Sequence, residues 1–281
     1  MNRAPFSEPV RQRLADDEQE ELANELTDLG EPYAYAMHVN YIDFREFDLP
    51  QPIYINMIRD PVERVISWFY YKRAPWTVVQ MYKLTKKFRK AQWYNKSLED
   101  CVIKNDLECR YEIGSSFQSA IMDHKRQTLF FCGHDLSCEY VKNLFYLEMS
   151  PSFVFVDNFR SFNTQEAYKL AMKNVESEYA VVGSWEDLNV TLEVLEHYIP
   201  KFFRGVTQLY FDEQVGMAST STNVNPWKPV ISSHIKEIIK KNFLILWEYE
   251  FYNFCKQRLY KQYWALKNMK MYEEHERKSK F

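Results

Sequence analysis

The run Pro52-Ile53-Tyr54-Ile55-Asn56-Met57-Ile58 is short and almost continuously apolar, which predicts a strand buried on both faces. Arg59-Asp60-Pro61 follows, with Asp60 placed to cap a helix and Pro61 at its first position. Val62, Val65, Ile66, Phe69 and Tyr70 then recur at helical spacing, so the segment reads as strand, turn and helix. Ser152 to Val156 and Tyr179 to Val182 read as two more buried strands, followed by helical patterns at 165–176 and 187–198. Residues 17–28 predict a helix and 33–42 a strand-like run, while Ser232 to about Lys267 reads as one or two long, aromatic-rich helices. The alternation predicts an α/β fold: a single domain with a central, mostly parallel sheet flanked by helices, ending in long C-terminal helices.

Charge and composition narrow the function classes. The 281 residues carry 36 Lys+Arg and 39 Asp+Glu, a net charge of −3 that argues against a globally basic nucleic-acid protein. Hydrophobic residues make up 46%, enough for a sizeable core. The six glycines are widely spaced, which excludes both a G-x-G-x-x-G dinucleotide fingerprint and a G-x-x-x-x-G-K phosphate loop. No apolar stretch approaches the 18 or more residues that span a bilayer.

Four cysteines form two close pairs, Cys101 with Cys109 and Cys132 with Cys138. These gaps suit loop staples in an oxidising compartment, and they favour disulfides over zinc because C-x-x-C spacing is missing and only His134 is near. The sequons at Asn95 and Asn189 are compatible with a secretory lumen. The first residues lack the apolar run of a signal peptide, so an N-terminal portion carrying the targeting segment is expected to be missing from this form of the chain.

Arg59 and Ser67 fall near the carboxyl end of the predicted strand, where α/β folds bind ligands. Guanidinium plus hydroxyl makes a phosphate clamp. Spacing alone leaves open an Arg59 paired with a surface carboxylate and a Ser67 packed within its helix. From Lys72 to Lys90 there are seven basic residues (Lys72, Arg73, Lys83, Lys86, Lys87, Arg89, Lys90) and no acidic one. The segment reads either as an anion-binding strip, with Lys72, Arg73, Lys83, Lys86, Lys87 and Lys90 as candidate acceptor-binding residues, or as a solvated basic helix; Lys83, Lys86, Lys87 and Lys90 follow i, i+3, i+4, i+7 spacing along one predicted helical face.

The string 52–64, with Ser67 and Tyr70-Tyr71, closely resembles the heparan sulfate and uronyl 2-O-sulfotransferase family, nearest its insect Pipe-type branch. Further matches are Arg73-Ala74-Pro75-Trp76, Arg126 to Gly133, Tyr179 to Gly183, Pro200 to Arg204 and Glu250 to Tyr260, in order along residues 33 to about 265. The resemblance implies a sulfotransferase fold of P-loop-NTPase type over 31–268, after a shortened segment 1–30 and before a charged flexible tail 269–281. It implies transfer of a sulfuryl group from 3′-phosphoadenosine 5′-phosphosulfate to a uronic-acid hydroxyl of a glycosaminoglycan or glycoprotein glycan, without a metal. Arg59 and Ser67 fall on the family's 3′-phosphate pair, His38 on its catalytic base, and the two cysteine pairs on its disulfides. A neutral imidazole suits that role, since it can accept a sugar hydroxyl's proton near neutral pH. Read without the resemblance, His38 is a buried histidine at a strand end. The resemblance also implies a Golgi lumenal location, a type II membrane anchor in the full-length form, a polysaccharide partner and a possible homo-oligomer.

The chain departs from the family at three places. Met1-Asn2-Arg3-Ala4-Pro5 resembles the approach to the family's phosphosulfate loop, but Phe6-Ser7-Glu8-Pro9 follows and no Lys precedes Lys72. Ala36 stands where the heparan enzymes carry a second histidine, and Ser219 to Pro226 lacks the family's basic residues. The expectation is a shortened form lacking anchor and loop. Its alternative is a catalytically impaired member that binds nucleotide or glycan without turnover.

Overall fold

The computed structural model describes residues 14–30, 32–109, 126–135, 138, 162–212, 228–242 and 246–279. In chain order the helices and strands are α1 (Asp16–Asp28), β1 (Tyr54–Ile58), α2 (Pro61–Tyr71), α3 (Pro75–Thr85), α4 (Ala91–Tyr94), α5 (Leu98–Ile103), α6 (Thr128–Cys132) and α7 (Phe162–Ser177). Then come β2 (Tyr179–Ser184), α8 (Leu188–Tyr198), α9 (Pro200–Phe203), α10 (Val206–Phe211), α11 (Ser233–Asn242) and α12 (Leu246–Ser279). By its internal contacts the chain divides into two compact units.

The first unit takes Met1–Ile53, Tyr111–Glu178 and Phe243–Phe251. Ala23 of α1 packs with Ile42 and Phe44, and Leu22, Leu26, Val39 and Phe47 close the cluster. Acidic Asp16, Asp17 and Glu18 occupy the first turn of α1, where the helix dipole favours negative charge. The short helix α6 is held at both ends by side chains. Glu248 accepts from the Gln127 and Thr128 amides at 2.9 and 3.3 Å, and Asn174 Nδ2 donates to the Phe131 and Cys132 carbonyls at 2.9 and 3.0 Å. These contacts satisfy groups that a helix end otherwise leaves orphaned.

The second unit takes Tyr54–Arg110, Tyr179–Asn242 and Tyr252–Phe281. Strands β1 and β2 pair in parallel, Ile58 opposite Ser184, and among the described residues the sheet has these two strands. Val181, Val190, Val194, Leu195, Ile199 and Leu259 form its core. Gly183 has no room for a side chain: a Cβ there would meet Thr191 Cγ2 at 2.3 Å and Met57 Sδ at 2.6 Å. Thr191 Oγ1 accepts from the Ser184 amide at 2.9 Å and donates to its carbonyl at 3.0 Å, fastening α8 to the end of β2.

Several elements differ from their sequence-based expectations. The run 33–42 forms no strand. Tyr41 N–H bonds the Phe130 carbonyl at 2.8 Å and Asn40 Nδ2 bonds the Gly133 carbonyl at 3.0 Å, so these residues dock on α6 and the turn after it instead of a ladder. Strand β1 is not buried on both faces, since Ile55 and Met57 are exposed and only Ile58 is fully covered. The helices at 165–176 and 187–198 appear as α7 and α8, and the aromatic C-terminal region as α11 and α12. Helix α12 runs to Ser279 and so takes in most of the charged segment 269–281. The strand expected at Ser152 to Val156 lies outside the described residues, as do Met1 to Pro9 and Ser219 to Pro226.

Candidate functional site

At the carboxyl end of the two-stranded sheet, β1 delivers Arg59 and then turns into α2. Asp60 Oδ1 accepts from the Val62 and Glu63 amides at 2.9 and 3.0 Å, and Pro61 fixes the first helical residue. Arg59 is half-buried, with its guanidinium carbon 5.9 Å from the centre of the Trp185 ring. Ser67 is half-buried on α2 beside fully buried Ile66.

Beside this turn lies the loop that follows β2. Trp185 N–H bonds the Ile58 carbonyl at 2.9 Å, and Asp60 N–H bonds Glu186 Oε1 at 3.0 Å. Glu186 Oε2 also accepts from Tyr252 OH at 3.0 Å and Ser184 Oγ at 3.3 Å. Asp187 takes Ser184 Oγ at 2.8 Å, Tyr260 OH at 2.9 Å and Lys256 Nζ at 2.7 Å. Burial works against the Asp187 charge, but the bonds from Lys256, Ser184 and Tyr260 outweigh it and hold the carboxyl below its usual range. Burial, followed by the Glu186 charge, pushes the Tyr252 hydroxyl up, keeping it a donor. In the sequence Glu186 and Asp187 stand outside every matched run, and Tyr252, Lys256 and Tyr260 enter only as part of the run Glu250 to Tyr260, with no site role. The available signal was the polar run Ser184-Trp185-Glu186-Asp187 immediately after a predicted buried strand.

The basic segment separates into two kinds of cation. Arg73 has a side chain only 7% exposed and lies between the rings of Phe69 and Trp93, 3.7 and 4.1 Å from their centres. It donates to the Phe69 carbonyl, the Trp93 carbonyl and Glu108 Oε2. Lys72 pairs with the other oxygen of Glu108, and burial lowers the Lys72 pKa. Burial would raise the Glu108 carboxyl, yet Arg73 and Lys72 bring it down to about 2. Lys96 reaches Asp106 at 2.7 Å and Glu108 at 3.5 Å. The Cys101–Cys109 disulfide closes the loop that presents Glu108. Cys101, Asp106 and Glu108 bring ligand-type atoms within 4.8 Å of one another, but the sulfur is in the disulfide and both carboxylates hold cationic side chains.

Lys83, Lys86, Lys87 and Lys90 are exposed, but they do not share one helical face. Helix α3 stops at Thr85, and Lys86 adopts the left-handed conformation (φ 56°) with its amide on the Tyr82 carbonyl, which redirects the chain. The stacked rings of Tyr82 and Phe88, 4.2 Å apart, bracket this turn, and Arg89 lies over Trp93.

His38, in the first unit, is exposed and meets the Phe130 ring edge-on at 6.5 Å between centres. It is therefore not the buried histidine that spacing alone allowed. The anchored pair Asn40 and Tyr41 follows it closely, fixing the backbone on its C-terminal side. Cys132 and Cys138 form the second disulfide. Asn95 and Asn189 are both exposed, at the C-cap of α4 and near the start of α8.

No family model matches the chain. It is 40% identical over 261 residues to the uronyl 2-sulfotransferase homolog pip of Drosophila melanogaster, covering 91% of this chain and 46% of that protein. It is 28% identical over 255 residues to the uronyl 2-sulfotransferase of Homo sapiens, covering 88% of this chain and 53% of that protein. With the heparan sulfate 2-O-sulfotransferase 1 of Gallus gallus it shares 30% identity over 226 residues, 80% of this chain and 52% of that protein. The chain thus spans about half the length of the curated relatives it matches. These alignments take in 80–91% of the chain, so its similarity to the uronyl and heparan sulfate 2-O-sulfotransferases runs along most of its length.

Proposed function

We propose that this chain is the donor-binding and catalytic region of a carbohydrate 2-O-sulfotransferase, acting with 3′-phosphoadenosine 5′-phosphosulfate on a uronic acid of a glycosaminoglycan or glycoprotein glycan. The observation that carries the reading is Arg59 at the carboxyl end of β1, followed by α2 with Ser67, in a chain 40% identical to a named uronyl 2-sulfotransferase homolog. An arginine fork and a hydroxyl fit a phosphate dianion in both charge and donor geometry.

In this reading Arg59 and Ser67 hold the donor's 3′-phosphate. The acceptor's hydroxyl oxygen attacks sulfur, the bond from sulfur to the phosphate oxygen breaks, and adenosine 3′,5′-bisphosphate leaves with the electron pair. The imidazole of His38 accepts the hydroxyl proton as the new bond forms. The exposed cations Lys83, Lys86, Lys87 and Lys90 supply long-range attraction for a polyanionic acceptor, while Lys72 and Arg73 hold the scaffold through Glu108. The two disulfides suit an oxidising lumen such as the Golgi's. Among the described residues no helix is long and apolar enough to cross a membrane.

Transfer of labelled sulfate from the donor to uronic-acid polymers tests the proposal. His38→Ala is expected to lower kcat by about 10² or more while leaving donor affinity unchanged. Transfer undiminished by that substitution sinks the assigned base, and absence of transfer to every uronic-acid polymer sinks the activity.

A further inference from the structure

We propose that Glu186 is a positioning residue for the phosphate clamp, acting through the backbone of Asp60 on the adjacent Arg59. The inference rests on the donor-binding reading above and assigns that site a part which neither Arg59 nor Ser67 supplies. A turn bearing a phosphate-binding arginine must be held still before the ligand arrives, because ordering it on binding subtracts from affinity.

One carboxylate joins three elements here. Oε1 of Glu186 takes the Asp60 amide at 3.0 Å, and Oε2 takes Tyr252 OH of α12 at 3.0 Å and Ser184 Oγ of β2 at 3.3 Å. Next to it, Trp185 N–H holds the Ile58 carbonyl at 2.9 Å, and the Trp185 ring faces the Arg59 guanidinium at 5.9 Å. The residues on both sides of Arg59 are therefore tied to consecutive residues of the loop after β2. Asp60 also caps α2, so the same tie sets the start of the helix that carries Ser67.

Calorimetric titration with adenosine 3′,5′-bisphosphate tests this in the full chain, with melting recorded for every variant. Glu186→Ala removes the acceptor of the Asp60 amide and should weaken binding about tenfold. Glu186→Gln keeps an acceptor for that amide and should restore affinity to within about threefold of the parent. In an Arg59→Lys background, which keeps the charge but loses the fork, Glu186→Ala should cost no further affinity, because both changes act on the same contact. Independent losses from the two changes, or an unchanged affinity in Glu186→Ala, overturn the positioning role. No binding by the unaltered chain instead overturns the donor-binding reading itself, so the two failures are distinguishable.

Discussion

Arg73 and Glu108 meet at 2.8 Å with both side chains only 7% exposed, and the guanidinium lies between two aromatic rings. The pair converts the first two cations of a basic run into structural ones. Breaking a buried pair from one side leaves a desolvated charge behind, at a cost of about 3–5 kcal/mol. Glu108→Ala is therefore expected to lower the unfolding free energy by that order in denaturant titrations. A loss no larger than that of an exposed pair, such as the one broken by Lys104→Ala at Asp100, contradicts the assignment.

Acid should act on the same carboxylate. In the folded chain Glu108 stays ionised down to about pH 2, whereas an unfolded chain protonates it near its ordinary 4.5. Its contribution is complete above pH 4.5 and is lost as the pH falls toward 2. Melting between pH 6 and 2.5 should show a decline in the parent that is shallower in Glu108→Gln. Parallel curves contradict the linkage.

Gly183→Ala forces a methyl group into Thr191 and Met57, which hold α8 and β1 against β2. Overpacking of this kind costs about 1–3 kcal/mol. The variant should unfold at lower denaturant with an unchanged slope. Stability equal to the parent's shows that the strand and helix are not packed as described.

The exposed lysines make the opposite prediction. Replacing Lys83, Lys86, Lys87 and Lys90 together by Ala should leave unfolding within about 1 kcal/mol of the parent and move elution from immobilised heparin to markedly lower salt. Lys72→Ala should leave that elution position unchanged and lower stability, because Lys72 faces Glu108. Elution at the parent's salt by the fourfold variant removes these lysines from the acceptor path.

What the sequence revealed was local. Asp60 and Pro61 announced the start of α2 because capping and fixed φ act within one turn, and both disulfides join residues at most eight apart. The contacts that define the site's surroundings are distant in sequence. Glu186 lies 126 residues from Asp60 and 66 from Tyr252, and no periodicity encodes such pairs. The lysine spacing misled for a related reason. A sequence pattern assumes the helix continues, and Lys86 turns left-handed where it should have continued. Exposure misled at β1, since an apolar run does not say whether anything covers its second face.

The phosphate clamp itself is tested by titrating adenosine 3′,5′-bisphosphate into the unaltered chain and into Arg59→Ala and Ser67→Ala. A single site is expected, weakened about tenfold or more by Arg59→Ala and by a smaller factor in Ser67→Ala. Binding that is absent, or equal in all three proteins, contradicts it.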